Sequence, residues 1–405
     1  SLQVSTANDT QLHKYQVVDG QLQAPQRPIL SNYATDGFEP DQEKKPLQKA
    51  VDNFIGMISS SKKTDMPEPG LGIQQNQPHA GIWMSQQITS EPLGLTVADL
   101  TGNQKLEIAI ALAGEVVVAQ LNDQHEYTQL AALDLPKNLK ILGIDSADLN
   151  GDGKSELYLS AVDKYLPQSF VVDLIDGELH ISIRNVPWLL RTISLSDQNQ
   201  TLAGQRWDSK EGTFTDKPFL VIRNGNKLET GQPLSLPDQI NIFSIASLGG
   251  EQNSRLYTYL TDDDYLKVRT DQGTELWESA DYFGGSEIFL EQSPQYSSDP
   301  LNKFYYIQPR ILTTEKGQLL IPQNEGWRTL ERFRMFKASR IISMTWNGFA
   351  LEENWRTTTQ QGYLVDFNYV DADNDGQKEL LMLVKFKHKG VLNAPRSALV
   401  LYELN

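Results

Sequence analysis

The chain has 405 residues, no cysteine and a formal net charge of −16 at pH 7. The lack of cysteine excludes disulfides, thiolate zinc sites and cysteine nucleophiles. The acidic charge argues against nucleic acid and anionic membranes as partners, because both bind clustered Lys and Arg. No apolar run approaches the roughly 18–20 residues that span a bilayer, so we expect no membrane-spanning segment.

The first 80 residues differ in pattern from the rest of the chain. Residues 13–23, "HKYQVVDGQLQ", indicate a hairpin, and apolar residues at helical spacing predict a helix from about residue 43 to 59. The polar sequence around it, rich in Pro and Gly, is typical of linkers. We therefore expect an appendage at 1–80 and a repeat domain at 81–405. The polar start at Ser1 shows no signal peptide, so we expect a processed or removed segment before it.

From residue 81 onward, short apolar or alternating runs separated by turn residues predict β-strands. Such runs fall into three sets, and four strands in about 45–50 residues is the spacing of propeller blades. The first strands of successive blades are expected near residues 93, 141, 191, 240, 303 and 363. The predicted strands of the three sets are 93–100, 106–114, 115–121, 140–149, 156–162, 169–177, 178–186, 241–248, 255–262, 265–273 and 275–280.

These repeats predict an all-β chain folded as a β-propeller of six four-stranded blades. Seven blades, with residues 1–30 contributing, is the alternative. A Trp two residues before Ser or Thr recurs in "GIWMSQQ" (81–87), "ELWESAD" (275–281) and "ENWRTTT" (353–359). We expect these Trp side chains to pack between blades. Because the last blade lacks such an outer strand and 81–88 lacks a blade, we expect the two to pair and close the ring.

Two acidic loops, "DLNGDGKSE" (148–156) and "DADNDGQKE" (371–379), share the pattern D-x-[ND]-x-D-G-x-x-E. Ca²⁺ takes six to eight oxygen ligands, and a tight turn brings alternate side chains to one point. Each loop is therefore a candidate calcium site, with the main-chain carbonyl of the seventh residue as a further ligand. The candidate ligands are Asp148, Asn150, Asp152, Lys154 and Glu156 in one loop and Asp371, Asp373, Asp375, Gln377 and Glu379 in the other.

Acidic loops of this kind have two other interpretations. An EF-hand needs Glu at position 12 and flanking helices, whereas these loops have Leu159 and Met382 there and strand-like flanks. A hairpin that only exposes charge is the plain alternative, since Asp, Asn and Gly are ordinary turn residues. A third loop, 99–107, is degraded by Thr101, Asn103 and Gln104, and we expect a weak site or none.

The two intact loops resemble FG-GAP/VCBS repeats, which occur in integrin α-subunit propellers and many exported bacterial proteins. The resemblance covers roughly residues 81–405 and implies a β-propeller with Ca²⁺ in hairpin loops between first and second strands. It also implies an exported protein, on the bacterial cell surface, in the periplasm or in the medium. Extracellular modules bind calcium at about 10⁻⁴–10⁻³ M, a concentration that the cytosol does not supply.

No catalytic motif is visible: the sequence has no G-x-S-x-G, H-E-x-x-H, P-loop or G-x-G-x-x-G. The five histidines are dispersed, and the basic run 328–340 predicts a strand with one solvated face, with an acidic partner as the alternative. We expect a binding module for a protein, a polysaccharide or a surface assembly, with no catalytic residue. A propeller enzyme that acts on a polysaccharide or uses a quinone is the alternative.

Overall fold

The computed structural model describes residues 16–18, 21–23, 81–196, 199–238, 240–248, 255–296, 304–330, 333–386 and 396–404. The chain divides into two compact units, 1–74 and 75–405. In the first, β1 (Gln16–Val18) pairs with β2 (Gln21–Gln23), which confirms the hairpin. The predicted helix at about 43–59 lies outside the described residues, and the boundary at residue 80 stays a prediction. No helix in the described ranges is long and apolar enough to cross a membrane.

The second unit consists of β-strands joined by turns and short loops in the ranges described. Its strands are β3 (Ile82–Met84), β4 (Pro92–Ala98), β5 (Glu107–Leu112), β6 (Glu115–Leu121), β7 (Tyr127–Asp134), β8 (Leu139–Ala147), β9 (Glu156–Asp163), β10 (Leu166–Pro167), β11 (Ser169–Ile175), β12 (Glu178–Val186), β13 (Leu189–Ser196), β14 (Asn199–Asp208), β15 (Thr213–Asn224), β16 (Lys227–Pro233), β17 (Ile245–Ser247), β18 (Leu256–Leu260), β19 (Tyr265–Thr270), β20 (Glu275–Tyr282), β21 (Phe289–Glu291), β22 (Phe304–Tyr306), β23 (Leu312–Thr313), β24 (Leu319–Leu330), β25 (Phe333–Trp346), β26 (Leu351–Arg356), β27 (Gly362–Val370), β28 (Glu379–Phe386) and β29 (Arg396–Tyr402).

These strands form four-stranded antiparallel sheets in chain order, which confirms the all-β prediction and is consistent with propeller blades. The successive sheets are β4–β7, β8–β9–β11–β12, β13–β16, β17–β20, β23–β26 and β27–β29 completed by β3. Strand β10 adds a short edge to β9, and β13 touches β17 through a single parallel pair, Ser194 with Ala246.

The chain closes on itself through β3 and the C-terminal sheet. Trp83 pairs with Leu401, and Ile82 with Tyr402, in an antiparallel ladder between β3 and β29. The predicted closure is therefore confirmed. The sheets also contact one another in a closed cycle: β4 contacts β8, β8 contacts β13, β13 contacts β17, β17 contacts β23, β24 and β25 contact β27, and β27 contacts β4.

Two predicted first strands are wrong in position. The strand expected near 303 is β22, which pairs only with β21 in a separate two-stranded sheet, and the first strand of the next four-stranded sheet is β23. Phe289 and Phe304 hold this ribbon together, with ring centroids 4.6 Å apart. The strand expected near 240 begins at Ile245, because Ile240 and Ile242 are buried in the core before the ladder starts. An apolar run signals burial and does not separate a strand from a packed loop.

The recurring Trp marks the fourth strand of three sheets, and the hydroxyl two residues later has a defined role. Trp83, Trp277 and Trp355 lie in β3, β20 and β26, each partly buried against an apolar cluster. The hydroxyl of Ser85, Ser279 or Thr357 accepts the N–H of the neighbouring strand's Leu399, Leu266 or Ile341, in each case at 3.0 Å. The hydroxyl thus satisfies a main-chain donor at the end of the outer ladder.

Candidate metal centres

Three acidic loops occupy the same place in three sheets. Each joins a first strand to a second strand: 99–106 joins β4 to β5, 148–155 joins β8 to β9, and 371–378 joins β27 to β28. The residue pairs that close the loops are in equivalent register, namely Ala98 with Glu107, Ala147 with Glu156 and Val370 with Glu379. The hairpin position implied by the sequence is therefore the observed one.

The first Asp of each loop folds the turn from inside. Asp148 accepts the N–H groups of Gly151 and Gly153 at 2.7 and 2.9 Å. Asp371 accepts those of Asp375 and Gly376 at 2.9 and 3.0 Å. Such side-chain acceptance of nearby main-chain donors is the normal chemistry of Asx turns, and here it draws the following acidic residues towards the first.

The sixth position of each loop has a left-handed backbone. Its φ is 85° at Gly153 and 94° at Gly376, and Gln104 has a φ of 66° in the degraded loop. Glycine adopts this conformation without steric cost, whereas a residue with a Cβ is strained there. The glycine in the motif is thus explained by the backbone that brings the acidic oxygens together.

The structure brings most of the predicted acidic ligands together in both intact loops. One oxygen from each of Asp371, Asp373, Asp375 and Glu379 lies within 4.8 Å of the others, and the same holds for Asp148, Asp152 and Glu156. Asn150 is placed beside its cluster, since its Oδ1 accepts the N–H of Asp152 at 2.8 Å. Lys154 and Gln377 donate their N–H groups to Asp152 and Asp375. Ligation by the carbonyls of these last two residues stays a prediction.

The Glu that ends each loop is buried and uses one oxygen in the same way. Oε2 accepts the N–H of the loop's second residue, from Leu100 to Glu107 at 2.8 Å, from Leu149 to Glu156 at 3.3 Å and from Ala372 to Glu379 at 2.9 Å. This bond fixes the carboxylate against its own loop. The difference between the loops lies in the second oxygen.

That second oxygen, Oε1, has three different environments. In Glu107 it accepts the hydroxyl of Thr101 at 3.2 Å. In Glu156 it lies 3.2 Å from Nη1 of Arg223, an ion pair without hydrogen-bond geometry. In Glu379, which is 0% exposed, Oε1 has no hydrogen-bond partner among the described residues. A buried carboxylate oxygen without a partner is costly unless a ligand completes it.

The electrostatics of the 371–379 loop favour a cation. Burial raises the pKa of Glu379 to about 8, against the hydrogen bond from Ala372, and the charges of Asp373, Glu403 and Asp371 raise it further. Burial and the charge of Asp375 also raise the pKa of Asp373. Within the described ranges no Lys or Arg pairs with these carboxylates. A divalent cation would remove both the desolvation penalty and the repulsion.

This loop also ties the last sheet to the first, a relationship that sequence reasoning missed. Oδ1 of Asn374 accepts the N–H of Leu106 at 2.7 Å, and its Nδ2 donates to the carbonyls of Leu106 and Leu121, both at 3.2 Å. Asp373 lies beside His125, which follows β6. Asn374 has a φ of 63°. The other two loops have Gly at this position, and the Asn here was the sequence feature that could have indicated the contact.

A second set of charges lies where the first strands meet. Arg310 contacts Asp366 through Nε at 2.6 Å and Nη2 at 2.8 Å, and it contacts Asp145 through Nη1 at 3.1 Å. Arg191 lies 3.4 Å from Asp145 and 3.8 Å from Asp366. All four side chains are at most 5% exposed. Burial alone would raise the pKa of Asp366, but Arg310 and Arg191 bring it below its usual value.

The basic run at 328–340 is partly used inside the fold. Arg328 and Arg334 both pair with Asp264, at 2.9 and 2.7 Å, and Asp264 is buried. These two guanidinium groups therefore serve an internal carboxylate. The strand expected there is β25 from Phe333 onward, and binding of an acidic partner stays a prediction.

Comparisons with known proteins give no family for this chain. No protein-family model matches it, and no curated protein matches it. A chain from the crystal structure of BBS1N in complex with ARL6DN, soaked with lead, is similar with a TM-score of 0.40 and 10% identity, over 80% of this chain and 97% of that one. Similarity at this level does not establish a shared function. The likeness to FG-GAP/VCBS repeats therefore remains a resemblance.

Proposed function

We propose that the chain is a calcium-stabilised β-propeller of six blades that acts as a binding module. The six four-stranded sheets, their closed cycle of contacts and the pairing of β3 with β29 support the six-bladed ring. The observation that carries the calcium proposal is Oε1 of Glu379, which is buried, lacks a hydrogen-bond partner among the described residues and lies in a cluster with three Asp side chains. Hard oxygen ligands in this number suit Ca²⁺.

The three loops differ in what already contacts Oε1 of their final Glu, and this difference predicts the order of their calcium affinities. At 371–379 a cation would fill the gap beside Glu379. At 148–156 the guanidinium of Arg223 already neutralises part of the Glu156 charge. At 99–107 the hydroxyl of Thr101 occupies the corresponding oxygen of Glu107. We infer that Ca²⁺ binds most tightly at 371–379, more weakly at 148–156 and not at 99–107.

A binding function is favoured over catalysis by the charges where the first strands meet. An enzyme built on blades needs titratable groups that converge on an accessible site. Here Arg310, Asp366 and Asp145 are buried and pair with one another, and Arg191 completes the set. Charges that are already satisfied in this way hold strands together and are not free for proton transfer.

The partner is proposed to be a protein, a polysaccharide or a surface assembly outside the cytosol. Rigid blades present loops that tolerate variation, which suits recognition of macromolecules. Calcium sites of this kind are filled at extracellular concentrations. The location is accordingly the cell surface, the periplasm or the medium.

The calcium proposal is tested by titration calorimetry and by thermal unfolding with calcium or chelator. We expect calcium uptake at millimolar concentration or below, with a higher melting temperature that chelator reverses. A ligand at a hundredfold excess over its Kd stabilises the folded state by about 2.7 kcal/mol. Asp375→Ala should remove most of the gain and Asp152→Ala a smaller share. Asp238→Ala, which removes an exposed partner of Lys217 far from these loops in sequence, is the control. No calcium uptake, or a melting temperature indifferent to chelator, would refute the proposal.

A further inference from the structure

A second group of ligand atoms lies next to the 371–379 loop and includes the only imidazole near it in the described ranges. Nε2 of His125 lies 3.2 Å from Oδ2 of Asp373 and 3.7 Å from Oε1 of Glu403. The three residues come from different places: His125 from the β6–β7 loop, Asp373 from the β27–β28 loop and Glu403 from just after β29. The fold, and not the local sequence, assembles this group.

The contacts around Nε2 of His125 are compatible with a shared metal. Nε2 of His125 is buried and has no hydrogen bond of acceptable geometry to any described residue, although two carboxylate oxygens lie beside it. The Asp373 oxygen lies within hydrogen-bonding distance but fails the geometric criteria, and the Glu403 oxygen lies beyond that distance. In a tetrahedral Zn²⁺ site with metal–ligand distances of about 2.0–2.2 Å, adjacent ligand atoms are about 3.3 Å apart. The 3.2 Å from His125 to Asp373 is close to that edge length, the 3.7 Å to Glu403 is longer, and all three ligand atoms lie within 4.8 Å of one another.

The two carboxylate oxygens of Asp373 face different groups. Its Oδ1 accepts the N–H of Asp375 at 3.2 Å and so faces the acidic loop, while its Oδ2 faces His125. Asp373 is 2% exposed, so its second oxygen is not available to bulk water. A carboxylate with one oxygen in each group has the arrangement of a bridging ligand between two cations.

The charge at this joint exceeds what one cation balances. Asp371, Asp373, Asp375 and Glu379 form the loop cluster, and Glu403 adds a fifth carboxylate. If all five ionise, one Ca²⁺ leaves three negative charges. The ion pairs within the described ranges add no Lys or Arg to balance them. Imidazole with carboxylate ligands is preferred by Zn²⁺ and similar transition metals, whereas Ca²⁺ prefers oxygen alone.

We propose that His125, Asp373 and Glu403 form a zinc-class site with one open position, bridged through Asp373 to the calcium loop. The metal would join the first sheet, the last sheet and the C-terminal segment at the point where the chain closes. Three protein ligands leave a fourth position for water. The site shares Asp373 with the proposed calcium site but does not depend on calcium being bound there.

The test uses the whole chain, first stripped of metal and then saturated with calcium. Zn²⁺ is titrated by calorimetry, and Co²⁺ is titrated as a probe whose visible absorption reports four-coordinate geometry. We expect one equivalent of Zn²⁺ beyond the calcium, and a tetrahedral Co²⁺ spectrum. His125→Asn is the main variant, because Asn tolerates the left-handed φ of 58° at this position. His180→Asn, at an exposed histidine 3.8 Å from Glu178, is the matched control.

His125→Asn should weaken Zn²⁺ binding by at least roughly 10–100-fold, the loss that follows removal of a hydrogen-bond partner behind a metal ligand, with calcium uptake unchanged. His180→Asn should bind both metals normally. Asp373→Ala should impair both. Equal Zn²⁺ binding by wild type and His125→Asn would overturn the proposal, as would Zn²⁺ and Ca²⁺ competing for one site. If calcium uptake is absent but Zn²⁺ binding depends on His125, the zinc site stands and the calcium proposal alone fails.

Discussion

Nη1 of Arg223 lies 3.2 Å from the buried Oε1 of Glu156, an oxygen that a cation in this loop would also contact. Arg223 is also held by Asp173, with Nη2 2.7 Å from Oδ2. It therefore links β15 to β11 and presents a fixed positive charge behind the 148–156 loop. In the part of the chain that the structure describes, Glu379 has no such counter-charge. One side chain from a neighbouring sheet thus makes the electrostatic environments of two loops with nearly the same motif different.

The first prediction removes that internal cation. Arg223→Met should raise the calcium affinity of the 148–156 loop, because Glu156 then depends on the metal for its counter-charge. Without calcium the variant should be less stable by about 3–5 kcal/mol, the cost of leaving a buried charge unpaired. Calorimetry in an Asp375→Ala background isolates this loop. Arg206→Met, which removes an exposed partner of Asp216, is the control. An affinity equal to or below that of the parent would contradict the assignment.

The second prediction concerns pH. Glu379 has a pKa of about 8 in the metal-free fold, above its usual 4.5. A carboxyl whose pKa is higher in the folded than in the unfolded state contributes stability at pH values below its unfolded pKa. That contribution is lost as pH rises through its folded pKa. The metal-free protein should therefore lose stability between about pH 5 and pH 9. Bound calcium keeps the carboxylate ionised, so calcium should stabilise more at high pH than at low pH.

Melting temperatures with calcium and with chelator, compared at about pH 5.5 and pH 8.5, measure this difference. Glu379→Gln supplies a neutral side chain of the same shape at both pH values. In that variant, calcium stabilisation at the 371–379 loop should be lost, and so should the pH-dependent loss of metal-free stability. A calcium effect that is the same at both pH values would argue that Glu379 is not a ligand.

The features predicted from sequence are those that repeat locally. Blade spacing, the outer strands marked by Trp83, Trp277 and Trp355, and the position of the acidic loops all follow from short patterns. The interactions that were missed join residues far apart: Arg310 and Asp145 are separated by 165 positions, and Asn374 and Leu106 by 268. Periodicity shows which face of a strand is buried. It does not show which charged side chain from another sheet meets it there.

The third prediction tests the charges where the first strands meet. Arg310→Met leaves Asp366 and Asp145 buried with Arg191 as their one counter-charge among the described residues, so we expect a loss of about 3–5 kcal/mol in the free energy of unfolding. Urea unfolding at neutral pH measures it. Arg206→Met breaks an exposed pair of 3.0 Å and should cost about 0–1 kcal/mol. Similar losses for the two variants would show that the buried set does not hold the first strands together.

The last prediction converts the degraded loop into a working one. Thr101→Asn, Asn103→Asp and Gln104→Gly together make 99–107 read D-L-N-G-D-G-K-L-E, which matches 148–156 except at the eighth position, where Leu106 stands for Ser155. The change removes the hydroxyl that occupies Oε1 of Glu107 and supplies the missing oxygen ligands. Among the described residues, no Arg forms an ion pair with Glu107, so the new cation meets no internal competitor.

We expect the triple variant to bind one more equivalent of Ca²⁺ than the parent, measured by calorimetry. Gln104→Gly alone is the control: it should bind no extra calcium, yet it should stabilise the fold by about 1 kcal/mol, because the φ of 66° at Gln104 strains a residue with a Cβ. If the triple variant takes up no additional calcium while it remains folded, the ligand set assigned to these loops is incomplete. If Gln104→Gly alone takes up extra calcium, the defect of this loop lies in its backbone, and not in Thr101.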